Sequence, residues 1–183
     1  LLVGPYSVAH LRIAEALADV GADPSGSSVH VYLTDTLDSP YEEPGRMTRL
    51  LEPIVEEQRR AIEIKSEKTE VLVCLGNPPY ERGRKQGAGG DETGGWIVHG
   101  EGEGGRPPIF EHFTEPVRRA GKGHHLKNLY NEYVYFWRWA LWKVFERGDQ
   151  GEPNDQPGLV SYISASSYLS GPGFAGMREW MRR

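Results

Sequence analysis

The sequence contains a single cysteine and no long apolar run. Cys74 cannot form an internal disulfide, and its place in an apolar stretch favours a structural, buried thiol over a reactive one. No apolar run reaches the about 18 residues that a membrane span requires, and no charged-then-apolar leader is recognisable. We therefore expect a cytoplasmic protein that makes no contact with a membrane.

Positive charge is also scarce. The 183 residues carry 21 Lys and Arg against 26 Asp and Glu, a formal net charge of −5. Because affinity for phosphates comes from clustered Lys and Arg, this balance argues against a chain that grips DNA by itself. The sequence also lacks an initiator Met and opens in the apolar residues Leu1, Leu2 and Val3, so we expect a fragment of a longer chain.

Metal-ligand patterns are absent from the sequence. His112, His124 and His125 lie near one another in the sequence, without cysteine partners and without the spacing of helical metal ligands. The sequence therefore predicts no metal site.

Apolar periodicity indicates alternating helices and strands in one compact domain, and the 38% hydrophobic content suits a soluble globular protein. Apolar runs predict strands at 29–33, 71–75 and 159–163. Helical spacing predicts helices at 5–20, 47–65 and 126–146 and from 174 onward. This alternation predicts an α/β fold with a mostly parallel sheet and helices on both faces.

A glycine-rich insert at 83–106 interrupts this pattern with ten glycines. Such a composition cannot build a core of its own, so we expect a mobile lid or a DNA-facing flap. The basic residues at its head, Arg82, Arg84 and Lys85, could meet phosphate. A phosphate-binding glycine loop at 100–105 is rejected, because this stretch carries two acids and follows no apolar strand.

The stretch Gly76-Asn77-Pro78-Pro79-Tyr80 follows the strand predicted at 71–75 directly. The two prolines fix φ and remove two backbone donors, so the carbonyls of Asn77 and Pro78 point in nearly preset directions. Tyr80 adds a flat ring on which an unstacked base could lie. At the carboxyl edge of a parallel sheet, this turn is a candidate acceptor clamp for an amino group. An ordinary turn with a packing tyrosine is the alternative.

A second candidate position is the end of the strand predicted at 29–33, where Thr34 and Asp35 follow. A carboxylate at a strand's carboxyl end can accept hydrogen bonds from a nucleotide or an adenine amine. An aspartate there is equally a turn former or a helix cap, and spacing alone leaves both readings open.

The unbroken Asn-Pro-Pro-Tyr after an apolar strand resembles the catalytic motif of amino-group methyltransferases that use S-adenosyl-L-methionine, above all the N6-adenine DNA methyltransferases. The resemblance implies that the Asn77 side chain and the Pro78 carbonyl accept hydrogen bonds from the target amine. It further implies that Tyr80 stacks on an adenine flipped out of double-stranded DNA. Pro79 completes the motif.

Further segments resemble the methyltransferase region of single-chain type ISP restriction-modification enzymes. They are residues 4–11, 33–37, 129–143, 158–163 and 167–169. The resemblance implies that residues 1–183 are part of a Rossmann-like catalytic domain in which Asp35 lies near the adenine of S-adenosylmethionine, with Thr34 beside it. It also implies nuclease, helicase and target-recognition domains in the full chain.

The sequence departs from that family in one important respect. The glycine-rich cofactor loop and the acidic residue that holds the ribose do not occur in it, and by the resemblance both should precede Leu1. We therefore expect the isolated fragment to be inactive. Methyltransferases acting on protein glutamine or on RNA use the same tetrapeptide and remain alternatives. A noncatalytic scaffold segment within a DNA-processing protein is the third reading.

Overall fold

The structure, a computed structural model, describes residues 3–23, 29–41, 52–66, 68–80, 94–101, 105–147, 152–153 and 157–182, in which helices and strands are mixed. The α-helices are α1 (Val3–Asp19), α2 (Glu52–Lys65), α3 (Gly95–His99), α4 (Glu111–Arg119), α5 (Glu132–Phe145) and α6 (Ala175–Trp180). The strands are β1 (Val73–Gly76), β2 (Glu146–Arg147), β3 (Glu152–Pro153) and β4 (Leu159–Tyr162). Across these ranges, no helix has both the length and the apolar character needed to cross a membrane.

The chain divides into two compact units, Leu1–Asp35 with Pro40–Lys65 and Thr36–Ser39 with Ser66–Arg183. In the first unit, Glu57 on α2 accepts a hydrogen bond from the Tyr6 hydroxyl at 3.1 Å and another from the Leu33 amide at 2.7 Å. The strand predicted at 29–33 is wrong, because this segment is irregular. The Leu33 amide, which a sheet would pair with a neighbouring strand, is bound to a glutamate side chain instead.

The second unit contains a parallel pair of strands, β1 and β4. Their register runs from Val73 opposite Leu159 to Gly76 opposite Tyr162, so the carboxyl ends of both strands lie side by side. Strands β2 and β3 form a separate antiparallel pair. The predicted α/β class is thus confirmed as a mixture of helix and strand, with a parallel sheet of two strands in the described part of the chain.

Helix α5 forms the centre of the second unit. It begins at Glu132 and not at 126, because Asn131 has extended dihedral angles and its side chain accepts a hydrogen bond from the Tyr133 amide, as an N-cap does. Residues Gly123–Asn128, of which only the last three fall within the predicted helix, form a 3-10 helix. Ten of the fourteen residues of α5 are buried, so this helix is core on almost every side, as its apolar and aromatic composition predicts.

The glycine-rich insert, predicted to build no core of its own, contributes residues to the core around α5. Its described part contains α3, in which Trp96 and Ile97 are buried, and the Trp96 ring meets the Trp142 ring of α5 edge to face at 5.1 Å. The apolar triplet 96–98 therefore outweighs its glycine neighbours, because it can be buried against an existing helix. Positions 81–93 and 102–104, including the basic head of the insert, lie outside the described residues.

A buried ion pair joins α5 to the start of β2. Arg138 is fully buried, and its guanidinium forms two hydrogen bonds of 2.6 Å with the Glu146 carboxylate. The Arg138 Nε also donates to the Ile109 carbonyl at 2.7 Å, while Trp180 of α6 donates to Glu146 at 2.8 Å. These bonds tie α5 and α6 and the segment that precedes α4 around one charged pair.

Helices α4 and α6 approach so closely that one position at their contact has to be glycine. A Cβ added at Gly176 would lie 2.2 Å from the backbone oxygen of Phe113, whereas one added at Gly95 would meet nothing within 4 Å. We expect Gly176→Ala to lower the free energy of unfolding by about 1–3 kcal/mol, because a backbone atom cannot rotate away. Gly95→Ala is the matched control and should be neutral or slightly stabilising. Urea denaturation of both variants tests this, and equal midpoints would contradict it.

Candidate functional site

The Asn-Pro-Pro-Tyr motif begins where β1 ends. Strand β1 ends at Gly76, and residues 77–80 continue as irregular chain in which Pro78 is buried while Asn77, Pro79 and Tyr80 are exposed. The buried proline fixes the segment to the second unit, and its ring removes one backbone torsion from the turn. The amide and phenol side chains of the motif are therefore presented to solvent from a restrained backbone.

The motif is bonded to the residue that follows β4. The Ile163 amide donates to the Gly76 carbonyl at 3.0 Å, and the Tyr80 hydroxyl donates to the Ile163 carbonyl at 3.0 Å. Both bonds exist because the parallel register brings the two strand ends together. This is the edge at which open α/β sheets bind ligands, as the sequence predicted for the motif.

Asn77 and Tyr80 are also in direct contact. The Tyr80 hydroxyl lies 3.3 Å from Asn77 Oδ1, in a donating geometry. A phenol carries one proton, so it shares that proton between Asn77 and the nearer Ile163 carbonyl. An amide oxygen has two lone pairs, which leaves Asn77 Oδ1 able to accept a second hydrogen bond from a bound group.

The Tyr80 ring is partly exposed and is supported by a second ring. Tyr80 is 48% exposed, and its ring centroid lies 6.2 Å from that of Tyr133 on α5. Tyr133 is buried, is 3.1 Å from the Ser167 hydroxyl and stacks on Phe174 at 6.5 Å. Burial raises the pKa of Tyr133 above its usual value, so this supporting phenol stays neutral. One part of the Tyr80 ring thus remains accessible to a planar ligand.

A close backbone approach lies directly beneath the motif. A Cβ at Gly76 would lie 2.8 Å from the Tyr162 ring, so a larger residue at this position would have to displace that ring. The Tyr162 hydroxyl is 3.1 Å from the half-buried Cys74 thiol, and burial raises the pKa of both groups. The predicted structural role of Cys74 agrees with this contact, since a thiol of raised pKa is a poor nucleophile at neutral pH.

Helix α5 also positions a serine at the same edge. Trp137 Nε1 donates to the Ser164 hydroxyl at 3.1 Å, and its ring packs edge to face on Tyr162 with centroids 5.1 Å apart. Sequence reasoning did not assign Tyr133, Ser164 or the Ile163 carbonyl to the site. The serine-rich stretch that follows the apolar run 159–163 was the available signal, because it places hydroxyls at a strand's carboxyl end.

Thr34 and Asp35 belong to the first unit, whereas the motif belongs to the second. The described segment 29–33 directly before them is irregular, so their predicted place at a strand end is wrong. The Thr34 hydroxyl donates to the Asp35 carbonyl at 3.3 Å, and Lys65 donates to the same carbonyl at 2.8 Å. The Asp35 backbone is therefore held from two sides while its residue is exposed to solvent.

Comparisons with known proteins do not add to this geometry. No family model, no curated protein and no solved structure matches the chain. Among the described residues, no group of three or more His, Cys, Asp or Glu side chains has the arrangement of a metal site. What the site can do is thus argued from its own residues.

Proposed function

We propose that this chain is part of a site-specific DNA adenine-N6 methyltransferase that transfers methyl from S-adenosyl-L-methionine to a flipped adenine, within a restriction-modification enzyme. One observation carries the proposal. An amide acceptor at Asn77 and a half-exposed ring at Tyr80 are bonded to each other at the shared carboxyl end of two parallel strands. An acceptor next to an aromatic surface is what recognition of a planar aromatic amine requires.

The acceptors would act on the nucleophile. The lone pair of an adenine amine is delocalised into the ring, which makes the amine a poor nucleophile. Hydrogen bonds from its two N–H groups to Asn77 Oδ1 and the Pro78 carbonyl favour the pyramidal amine and fix its direction. Most of the rate then comes from orientation and from preorganised dipoles.

The target base has to leave the DNA duplex before it can contact Tyr80. A base reaches such a site only after leaving the duplex, at a cost of a few kcal/mol. Stacking on an aromatic ring contributes about 1–3 kcal/mol per base. Tyr80 can provide this contact, because its exposed ring is held by Ile163 and supported by Tyr133.

Exposed residues on the sheet support the finer statement that the fold is a doubly wound, Rossmann-like sheet. Val73, Leu75, Leu159 and Ile163 are 53–69% exposed, while the alternate residues Cys74 and Tyr162 contact each other. Parallel strands in known proteins are usually covered on both faces. An apolar face of this kind is expected where a larger α/β sheet would carry a second layer of helices.

The resemblance assigns the adenine of S-adenosyl-L-methionine to the exposed residue Asp35. A carboxylate exposed to solvent on a backbone held by Lys65 and Thr34 can accept a hydrogen bond from an adenine amine of the cofactor. When bound, the cofactor would supply an electrophilic methyl group on a sulfonium. Asp35 and Thr34 are proposed to bind it, and the chemistry at the amine is assigned to Asn77 and Pro78.

A pair of variants separates the two roles of Tyr80. Tyr80→Phe keeps the ring but loses the hydrogen bonds to Ile163 and Asn77. We expect this variant to lower the free energy of unfolding by about 0.5–1.5 kcal/mol. Tyr80→Ala loses stacking as well, which should weaken binding of the flipped base by about 1–3 kcal/mol. Fluorescence of 2-aminopurine at the target position measures the flipped population. Equal signals from both variants would argue against stacking.

Methyl transfer tests the proposal directly. The natural full-length protein is incubated with methyl-labelled S-adenosylmethionine and with duplex DNA, RNA or protein as acceptor. We expect label on adenine N6 of duplex DNA. Label on RNA or on glutamine would assign the same clamp to one of those substrates. Folded protein that binds DNA and transfers no methyl group would favour the noncatalytic scaffold.

A further inference from the structure

Residues 118–127 concentrate positive charge in an otherwise acidic chain. This segment, the basic corner, contains two arginines, two lysines and two histidines and no acidic residue, whereas the whole chain has a net charge of −5. It runs from the end of α4 through the 3-10 helix Gly123–Asn128. The net charge of the whole chain does not reveal this local cluster, because acidic residues elsewhere outnumber the basic ones.

Three of the four Arg and Lys charges of the basic corner are not neutralised by any residue that the structure describes. Arg118, Lys122 and Lys127 are exposed and form no ion pair with any described residue. Arg119 alone is paired, with Glu115 at 2.8 Å. The pKa of the neighbouring His125 is lowered, first by burial and then by the charges around it, which include both lysines. The corner is therefore a region of positive potential open to solvent.

The basic corner adjoins the candidate site through one short segment. The 3-10 helix Pro172–Phe174 packs on it so tightly that a Cβ at Gly173 would lie 2.5 Å from the His125 carbonyl. The next residue, Phe174, stacks on Tyr133, whose ring lies beside that of Tyr80. Two ring contacts thus connect the corner to the exposed ring of the motif.

We propose that Arg118, Lys122 and Lys127 bind phosphates of the nucleic-acid strand whose base is presented to Tyr80. This inference rests on the proposed function, because a flipped base remains bonded to its backbone and the flanking phosphates pass close to the ring. Exposed cations without internal partners gain from phosphate contact through release of counterions. An acidic peptide would satisfy the charges too, but it offers no planar base to the adjoining ring, so nucleic acid is favoured.

The salt dependence of binding measures these contacts. The variant Arg118→Gln/Lys122→Gln/Lys127→Gln of the natural full-length protein is titrated with a fluorescent duplex between 50 and 200 mM salt. The slope of log K against log salt is negative, and its magnitude should decrease by about two to three units, since each phosphate contact contributes about 0.9. The control Arg12→Gln/Arg59→Gln/Arg60→Gln removes three exposed charges from α1 and α2, of which Arg12 and Arg60 are each paired with a glutamate at 3.2 Å, and should keep the slope. Arg118→Lys keeps the positive charge, so the salt slope of this variant should also be unchanged.

Methylation kinetics distinguish the two proposals. The triple variant should raise KM for DNA with kcat unchanged, because phosphate contacts act equally on ground and transition states. If the protein methylates adenine but both triple variants show the same salt slope, the proposed phosphate contacts of the basic corner are wrong and the proposed function is unaffected. Tighter binding to polyglutamate than to the duplex would assign the corner to acidic proteins. Absence of both DNA binding and methylation in the unaltered protein would overturn both.

Discussion

Asn77→Ala in the natural full-length protein is expected to abolish methyl transfer to DNA while cofactor binding is largely retained. The variant removes the amide acceptor of the motif, Asn77 Oδ1, and with it the group proposed to orient the amine. Loss of one preorganised hydrogen-bonding group at a reacting centre lowers kcat by on the order of 10²–10³ or more. Transfer of labelled methyl to a target duplex measures the loss, and equilibrium dialysis with the cofactor measures binding.

The control for this experiment is Asn128→Ala, which removes a second exposed asparagine that carries no charge and lies outside the basic corner, at the end of a 3-10 helix. It should have normal activity. Activity retained in Asn77→Ala would contradict the role of Asn77 as an acceptor for the target amine. Loss of both activity and cofactor binding would instead indicate that Asn77 supports the fold of the site.

The largest expected effect on stability lies at the buried ion pair. Glu146→Gln leaves the Arg138 guanidinium charged and without its carboxylate, although both side chains are almost fully buried. Breaking a buried pair in this way costs about 3–5 kcal/mol, because the remaining buried charge has lost its counter-charge. Guanidinium denaturation should show a lower midpoint with an unchanged slope.

Two further variants test the cause of this loss. Arg138→Met/Glu146→Leu removes both charges and should recover part of the stability, although it leaves the Ile109 carbonyl and the Trp180 ring nitrogen without their bonds. The exposed pair formed by Arg60 and Glu56 on α2 is the surface control, and Arg60→Met should cost about 0.5 kcal/mol or less. Equal losses at the buried and the exposed pair would contradict the argument.

The sequence predicted the elements whose signal is local. The apolar run 71–75, closed by a turn with two prolines, specified β1 and the place of the motif, and the run 159–163 specified β4. Aromatic residues at helical spacing specified α5, which is buried because few of its positions are polar. In these segments the periodicity and the turn chemistry indicate the same structure.

Elements that depend on a distant partner could not be predicted in this way. The segment 29–33 has the composition of a strand, but Glu57 takes the Leu33 amide. Helix α3 lies in a glycine-rich segment and forms because Trp96 packs against Trp142. In the candidate site, the contacts of Tyr80 with Ile163 and Tyr133 join three segments that no local pattern connects.

The bond between Tyr80 and Ile163 also bears on the order in which the site forms during folding. It joins positions 83 apart in the chain, and the contact between Cys74 and Tyr162 beneath it spans 88 positions. Closing so long a loop is opposed by chain entropy, and non-local parallel pairing is intrinsically slow. Helix α5 lies inside that loop and is formed by local contacts. We therefore expect the two strand ends to meet only after this helix offers them a surface, so that the motif gains its geometry late.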